Sequence, residues 1–327
     1  MSRIRLLSRE DVRQALDMPT AIARMGEAYA ALSGGRATVP VRQSLPIPEH
    51  KGQVLIMPAW LPHTGLVSVK IVSAYPENRG RKLPFIQGLV VVLDAEEGRP
   101  LAIMNGEYLT ALRTGAGAGL ATDLLARKDA GVTAVFGPGV QGQTQLEAVC
   151  AVRDIRRTYV FGRTPEKTGA FAREMTALLN HEVLPATEPG QLREADIVCT
   201  ATSSRTPVFA HADLAPGVHI NGVGSFRPDM AEIPAETIQA AKIVVDQRAA
   251  CLAEAGDIIQ ALNRKLIDEN HIYSEIGEIV SGDMPGRTSP DEITLFKSVG
   301  NAAQDLAAAA HIAKEAEKRG LGMEVEV

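Results

Sequence analysis

Three cysteines in 327 residues are few, and Cys150, Cys199 and Cys251 stand far apart with no C-x-x-C pair. That usage argues against a disulfide framework, a thiolate metal cluster or a catalytic thiol, and it suits buried thiols in a reducing compartment, so the expected location is the cytoplasm. The seven histidines are scattered without H-x-x-x-H spacing, and no metal site is expected. Basic residues are in deficit: 34 Lys and Arg against 39 Asp and Glu give a net charge of -5, and only 4% of residues are aromatic. With no basic stripe interleaved with aromatics, nucleic acid is not an expected partner, and small molecules are. Long apolar runs are missing too. The longest aliphatic stretch, Leu89 to Leu93, is far short of the ~20 residues of a membrane helix, and Met1-Ser2-Arg3-Ile4-Arg5 lacks an apolar signal core. Neither membrane insertion nor export is expected.

What is present is an ordinary globular balance, 45% hydrophobic and 22% charged, over a length that can bury two cores. Helical spacing from Arg9 to Leu32 opens after Ser8 and closes at Ser33-Gly34-Gly35. Short runs rich in Val, Ile and Leu follow at Val39 to Leu45, Val54 to Met57, Leu66 to Val72 and Gly88 to Asp94, separated by Pro and Gly, and predict a mixed sheet with flanking helices. From Val132 strand and helix alternate: Val132 to Phe136, a helix from Gln141, Thr158 to Phe161, a helix from Pro165, then strands at Ile197 to Thr200, His219 to Val223 and Ile243 to Val245. That rhythm predicts an α/β fold with a Rossmann doubly wound parallel sheet. Ser298 to Arg319 is Ala-rich and helical and is expected to return to the first domain. The expected division is residues 1–120 with 305–327, for substrate binding and dimerisation, and residues 121–304, for the dinucleotide.

The chemistry-bearing motif is Gly137-Pro138-Gly139-Val140-Gln141-Gly142, a Gly-x-Gly-x-x-Gly that follows an apolar strand and opens a helix. In that context Gly137 makes the tight turn, Gly139 lets backbone approach a pyrophosphate, Gly142 lets helix and strand pack closely, and the first helical amides, from Val140 and Gln141 onward, hold phosphate. A second cluster, Gly115-Ala116-Gly117-Ala118-Gly119, follows a helical segment and is expected to serve tight helix packing instead. At the end of the second strand, where an acid would bind the ribose hydroxyls of NAD, the chain has Phe161-Gly162-Arg163-Thr164-Pro165-Glu166-Lys167. Arg163, Thr164 and Lys167 suit an added phosphate, so NADP(H) is favoured and NAD(H) stays open. Two later strands end in small residues, Thr200-Ala201-Thr202 and Val223-Gly224-Ser225, loops that would let a flat nicotinamide lie close to backbone. Glu254 and Asp257 fit a solvated helix face.

Taken together, Leu109-Thr110-Ala111-Leu112-Arg113-Thr114-Gly115-Ala116, the Gly137 motif, His219-Ile220-Asn221-Gly222-Val223-Gly224-Ser225 and Phe296-Lys297-Ser298-Val299-Gly300 resemble the ornithine cyclodeaminase/mu-crystallin family over nearly the whole chain. The resemblance implies a homodimer joined through the non-Rossmann domain, places Lys297 and Gly300 at the cofactor, and points to Arg42, Lys70 and Arg113 as the residues that meet a small imino or amino acid. Guanidinium groups grip a carboxylate in a planar, bidentate way, and Lys70 can hold the carboxylate or deliver a proton to an imine nitrogen. The family's cyclodeaminases carry two acids that this chain replaces with Leu55 and Phe226, which argues against ornithine and for the ketimine-reductase branch. Asp229, three residues beyond Phe226, fits a turn after Pro228, with a shifted loop that brings it inward as the alternative. Leu55, Met57, Trp60 and Phe226 are candidates for an apolar wall. The expected activity is NAD(P)H-dependent reduction of alpha-imino acids, with amino-acid oxidation as its reverse. The alternatives are a cyclodeaminase with recycled NAD, an alanine dehydrogenase or iminosuccinate reductase, and, least favoured, a non-enzymatic binder.

Overall fold

Ser8 and Asp17 open the first two helices, because each side-chain oxygen accepts a backbone N–H that a first helical turn leaves without a partner. Asp11 N donates to Ser8 Oγ at 3.3 Å and Thr20 N to Asp17 Oδ1 at 2.9 Å. They start α1 (Arg9–Ala15) and α2 (Met18–Ser33). The computed structural model describes residues 3–81 and 83–326. The chain divides into two compact units, Met1–Arg113 with Asn301–Val327, and Thr114–Gly300.

The first unit holds β1 (Arg3–Leu7), β2 (Gln43–Ile47), β3 (Gly52–Leu61), β4 (Leu66–Ala74), β5 (Ile86–Asp94), β6 (Pro100–Asn105) and, from the far end of the chain, β15 (Met323–Glu326). Among the described residues they form one sheet in the order β15-β1-β6-β5-β4-β3-β2, antiparallel except for the β1–β6 pair. The strand expected at 39–45 is displaced to Gln43–Ile47: Pro40 has no N–H to give a ladder, and before it only Thr38 makes an isolated bridge, to Trp60. β1, β6 and β15 were not legible in the apolar pattern. Helix α10 (Ala302–Arg319) covers β3 and β4 and packs against α2. It starts four residues later than the Ala-rich run suggests. The cause is Asp246, whose carboxylate accepts from Ser298 Oγ at 2.7 Å, Val299 N at 3.0 Å and Gly300 N at 2.7 Å and holds that segment out of the helix. Asn301 then caps the helix.

The second unit contains β7 (Val132–Phe136), β8 (Arg157–Phe161), β9 (Glu182–Ala186), β10 (Ile197–Thr200), β11 (His219–Gly222), β12 (Lys242–Val245), β13 (Ile272–Glu275) and β14 (Thr294–Lys297). All pair in parallel, in the order β9-β8-β7-β10-β11-β14-β12-β13. The order runs outward in both directions from β7 and β10, which makes the gap between their carboxyl ends the switch point where such sheets bind dinucleotides. Helices α4 (Val140–Val152) and α5 (Pro165–Leu179) follow β7 and β8, and α6 (Ala235–Ala240), α7 (Arg248–Glu254), α8 (Gly256–Asn263) and α9 (Ile276–Val280) serve the second half.

Helix α3 (Gly106–Leu125) carries the second glycine cluster, and the division between units falls within it. Its C-terminal part belongs with the second unit because of contacts there: a Cβ on Gly115 would stand 2.4 Å from Thr144 O, and Thr122 Oγ1 accepts from Asn221 Nδ2 at 2.9 Å. The cluster thus serves close packing of α3 on α4. Among the described residues no helix is long and apolar enough to cross a membrane.

Candidate active site

Strand β4 is patterned the wrong way round for a half-buried strand. Successive side chains point to opposite faces, and here Ser68 and Lys70 are buried while Ile71 is exposed. Lys70 lies in register with Met57 of β3 and Val90 of β5, both buried, in a row that α10 covers. An ammonium in such a row must be paired. Its partner is Asp305 in the first turn of α10, where a helix N-terminus also favours an anion: Lys70 Nζ lies 2.7 Å from Asp305 Oδ2.

Asp305 holds a second cation. Arg113 Nε donates to Asp305 Oδ1 at 2.9 Å, and Arg113 Nη1 donates to Gln304 Oε1 at 3.1 Å. Gln304 is itself fixed, accepting from Asn301 N at 3.0 Å and donating from Nε2 to Tyr29 Oη at 2.6 Å. Lys70, Arg113 and Asp305 are 2%, 5% and 0% exposed, so one carboxylate faces two cations out of water and one positive charge is left over. Burial pulls the Lys70 ammonium down to about 8; Asp305 opposes the shift, while Arg113 and Arg42 add to it. Burial works against the Asp305 charge, yet Arg113 and Lys70 outweigh it and hold the carboxyl below its usual range. Arg42 is half-buried, and its charge reaches Lys70. The first unit therefore gathers the three basic residues singled out in the sequence and adds Asp305 and Gln304. A lone acid inside Leu306-Ala307-Ala308-Ala309 and its flanks was the available signal for Asp305.

In the second unit Gly137 has φ +104, and a Cβ there would lie 2.6 Å from Ala201 O. On Gly142 a Cβ would sit 2.3 Å from Gly137 O. Gly139 has open space around it, serves as the N-cap of α4 and makes no side-chain cap. Val140 is exposed, and Gln141 keeps a buried Oε1 without a hydrogen-bond partner. An uncapped helix start approached by bare backbone fits a pyrophosphate. Arg163, Thr164 and Lys167 are exposed between β8 and the start of α5.

The loops after β10 and β11 are tied to one carboxylate that the sequence did not mark. Glu232 accepts from Thr200 Oγ1 at 2.9 Å, Thr202 N at 2.5 Å and Gly224 N at 2.8 Å. Asp257 corrects an expectation: it is 3% exposed, not on a solvated face. It accepts from Glu232 N at 2.7 Å and Ile233 N at 3.1 Å and pairs with Lys297 at 3.0 Å. Glu254 is half-buried. Lys297 is fully buried in that pair, Ser225 Oγ accepts from Asp257 N at 3.1 Å, and Gly300 N is occupied by Asp246. These three surround the loops rather than opening to solvent, while Val223 is half-buried, its N bonded to Thr200 O at 3.1 Å.

Of the wall candidates, Met57 is buried, Leu55 half-buried, and Trp60 and Phe226 exposed. Asp229 lies at the surface, paired with Arg227 at 2.8 Å and Arg205 at 3.1 Å. Burial pushes the Cys150 and Cys199 thiols up to about 12, which leaves no reactive thiolate there. Among the described residues no cluster of His, Cys, Asp and Glu is placed to hold a metal ion.

The second unit has the topology and the open glycine turn of a dinucleotide-binding domain, and such domains serve redox chemistry. The chain belongs to the ornithine cyclodeaminase/mu-crystallin family, whose profile matches residues 3–320. It is 38% identical over 323 residues to the delta(1)-pyrroline-2-carboxylate reductase of Bacillus cereus, covering 98% of this chain and 99% of the relative. Among solved structures it is similar to the delta(1)-pyrroline-2-carboxylate reductase of Thermococcus litoralis in complex with NADH and L-proline, with a TM-score of 0.95, 39% identity, and 98% and 100% of the two chains covered. An archaeal alanine dehydrogenase dimer with bound NAD matches with a TM-score of 0.93 and 31% identity over 99% of each chain.

Proposed function

We propose that this protein is a nicotinamide-dependent reductase of cyclic alpha-imino acids, of the delta(1)-pyrroline-2-carboxylate type, with oxidation of the corresponding amino acid as its reverse reaction. The observation that carries this reading is the buried Lys70–Asp305–Arg113 group, whose one uncompensated positive charge matches one substrate carboxylate. It is joined to the likeness, at 38% and 39% identity, to two such reductases. Arg113 and Arg42 bind and orient the carboxylate, which sits beside the carbon that is reduced. Lys70, as an ammonium, donates its proton to the imine nitrogen as that carbon accepts hydride, and a positioned acid of this kind is worth ~10²- to 10⁴-fold. The dinucleotide, when bound along Gly137–Gly142, supplies the hydride. Arg163, Thr164 and Lys167, with no acid at the end of β8, support a preference for NADPH. Leu55 and Phe226 leave no general base or counter-charge for a distal ammonium, which disfavours cyclodeamination.

A homodimer is part of this reading. Ile56, Ile71 and Leu89 lie side by side across β3, β4 and β5 and are exposed, as is Leu45 on β2, so one sheet face presents an apolar surface of the kind that interfaces cover. Free thiols at all three cysteines suit a reducing compartment such as the cytoplasm. The test is to add 1-pyrroline-2-carboxylate to enzyme with NADPH or NADH and follow absorbance of the reduced nicotinamide, with L-ornithine plus NAD and ammonia detection alongside. Oxidation without ammonia is expected, faster with NADPH. Ammonia from ornithine, or turnover only with pyruvate and ammonia, would replace the reading.

A further inference from the structure

Glu232 lies in a short apolar segment, Met230-Ala231-Glu232-Ile233-Pro234, and is 0% exposed. Burying a carboxylate is costly unless several donors meet it. Three donors do, and they come from two different places: Thr200 Oγ1 at the end of β10 and Thr202 N just past it, and Gly224 N beyond β11. The approach is so close that a Cβ on Gly224 would lie 2.4 Å from Glu232 Oε1 and 2.3 Å from Thr202 O. The first loop in turn abuts the Gly137 turn, because Ala201 O stands 2.6 Å from where a Gly137 Cβ would be. Behind Glu232, Asp257 accepts from the Glu232 and Ile233 amides and is paired with Lys297, so the carboxylate is held from its backbone as well.

In the strand order β9-β8-β7-β10-β11, the loops after β7 and β8 belong to one mononucleotide half and those after β10 and β11 to the other. The Gly137 turn and Arg163 stand in the first half. The two loops clamped by Glu232 stand in the second, the half left for the nicotinamide. We propose that Glu232 is a positioning residue for the nicotinamide end of the cofactor: it locks the Thr200–Thr202 and Gly224 loops into one surface against which the nicotinamide is held, and it does not touch the adenine end. The proposal rests on the cofactor reading above.

The proposal separates ligands that share the adenosine diphosphate portion. Calorimetric titration of the whole protein with NADPH and NADH, and with 2'-phospho-ADP-ribose and ADP-ribose, which lack the nicotinamide, reads the two halves independently. Glu232→Gln places an NH2 donor against one of three donors, and affinity for the nicotinamide-bearing ligands is expected to fall about 10- to 100-fold, with the ribose diphosphates within about twofold of wild type. Thr200→Val, which removes one of the three bonds and keeps the carboxylate, is expected to give the same one-sided loss at about three- to tenfold. It carries the test if the first variant does not fold. Equal weakening of both ligand classes would make the carboxylate a general prop of the fold, and unchanged binding of all four would make the clamp irrelevant; either overturns the proposal. Failure of the wild type to bind any of the four would instead overturn the cofactor reading itself, and the proposal with it.

Discussion

Asp305 decides what the two buried cations can do. It raises the Lys70 pKa against the pull of burial and at the same time holds the Arg113 guanidinium by one edge. Because burial brings Lys70 down to about 8, the ammonium predominates below that pH and is lost above it. For an acid in the forward direction the sign is fixed: imine reduction is expected to fall tenfold per pH unit above about 8, and amino-acid oxidation, which needs the free amine, to rise through the same pH. Asp305→Asn removes the nearest anion, lowers the Lys70 pKa further and is expected to move that limb to lower pH; a limb that stays in place would take the acid role from Lys70. Arg113→Ala removes the proposed carboxylate grip and leaves Asp305 with one partner. Substrate KM is expected to rise about 100-fold or more, on the scale of the ~3 kcal/mol lost when one member of a buried ion pair is removed, with the dinucleotide Kd unchanged. Loss of dinucleotide binding instead would contradict the assignment.

The elements show two different uses of sequence pattern. In β7 and α4 the local signal and the tertiary role agree, since an apolar strand, a tight turn and a helix start are all short-range features. The turn depends on Gly137, where φ is +104 and Ala201 O leaves no room for a Cβ. Gly137→Ala is expected to weaken dinucleotide binding at least tenfold while the far-UV circular dichroism stays near wild type. Retained affinity would mean that the turn can shift without moving the helix start. Strand β4 shows the opposite case: period-two alternation predicts a strand but not which face is inside. Ser68 and Lys70 point in, with α10 bringing Asp305 to meet Lys70, while Ile71 points out.

At the scale of the whole molecule that inversion has a consequence for assembly. Ile56, Ile71 and Leu89 form an apolar row on a face that the first unit's helix α10 does not cover, and the proposed occupant is a second copy of the chain. Ile71→Lys puts a charge at the centre of the row and is expected to shift sedimentation from dimer to monomer with dinucleotide binding retained, since the Rossmann unit is a separate unit of the fold. A wild-type protein that sediments as a monomer would remove the dimer from the proposal.

The sequence by itself determined the doubly wound sheet and the glycine turn, because strand periodicity and turn chemistry are carried by neighbours along the chain, whereas Arg42, Lys70 and Arg113 are singled out only by the family resemblance. The same resemblance implies that Leu55 and Phe226 stand where the family's cyclodeaminases carry acids. Tertiary structure alone decided the rest. Asp305 meets Lys70 and Arg113 across separations of about two hundred residues, with 192 between Arg113 and its carboxylate. Asp257 is a buried ion-pair partner and not a surface acid, because Lys297 arrives on β14, a strand the apolar pattern did not reveal. Glu232 lies 32 residues from the Thr200 hydroxyl that it binds. A carboxylate's environment is set by what folds onto it, and charge, burial and hydrogen bonding at such distances leave no periodic trace in the chain.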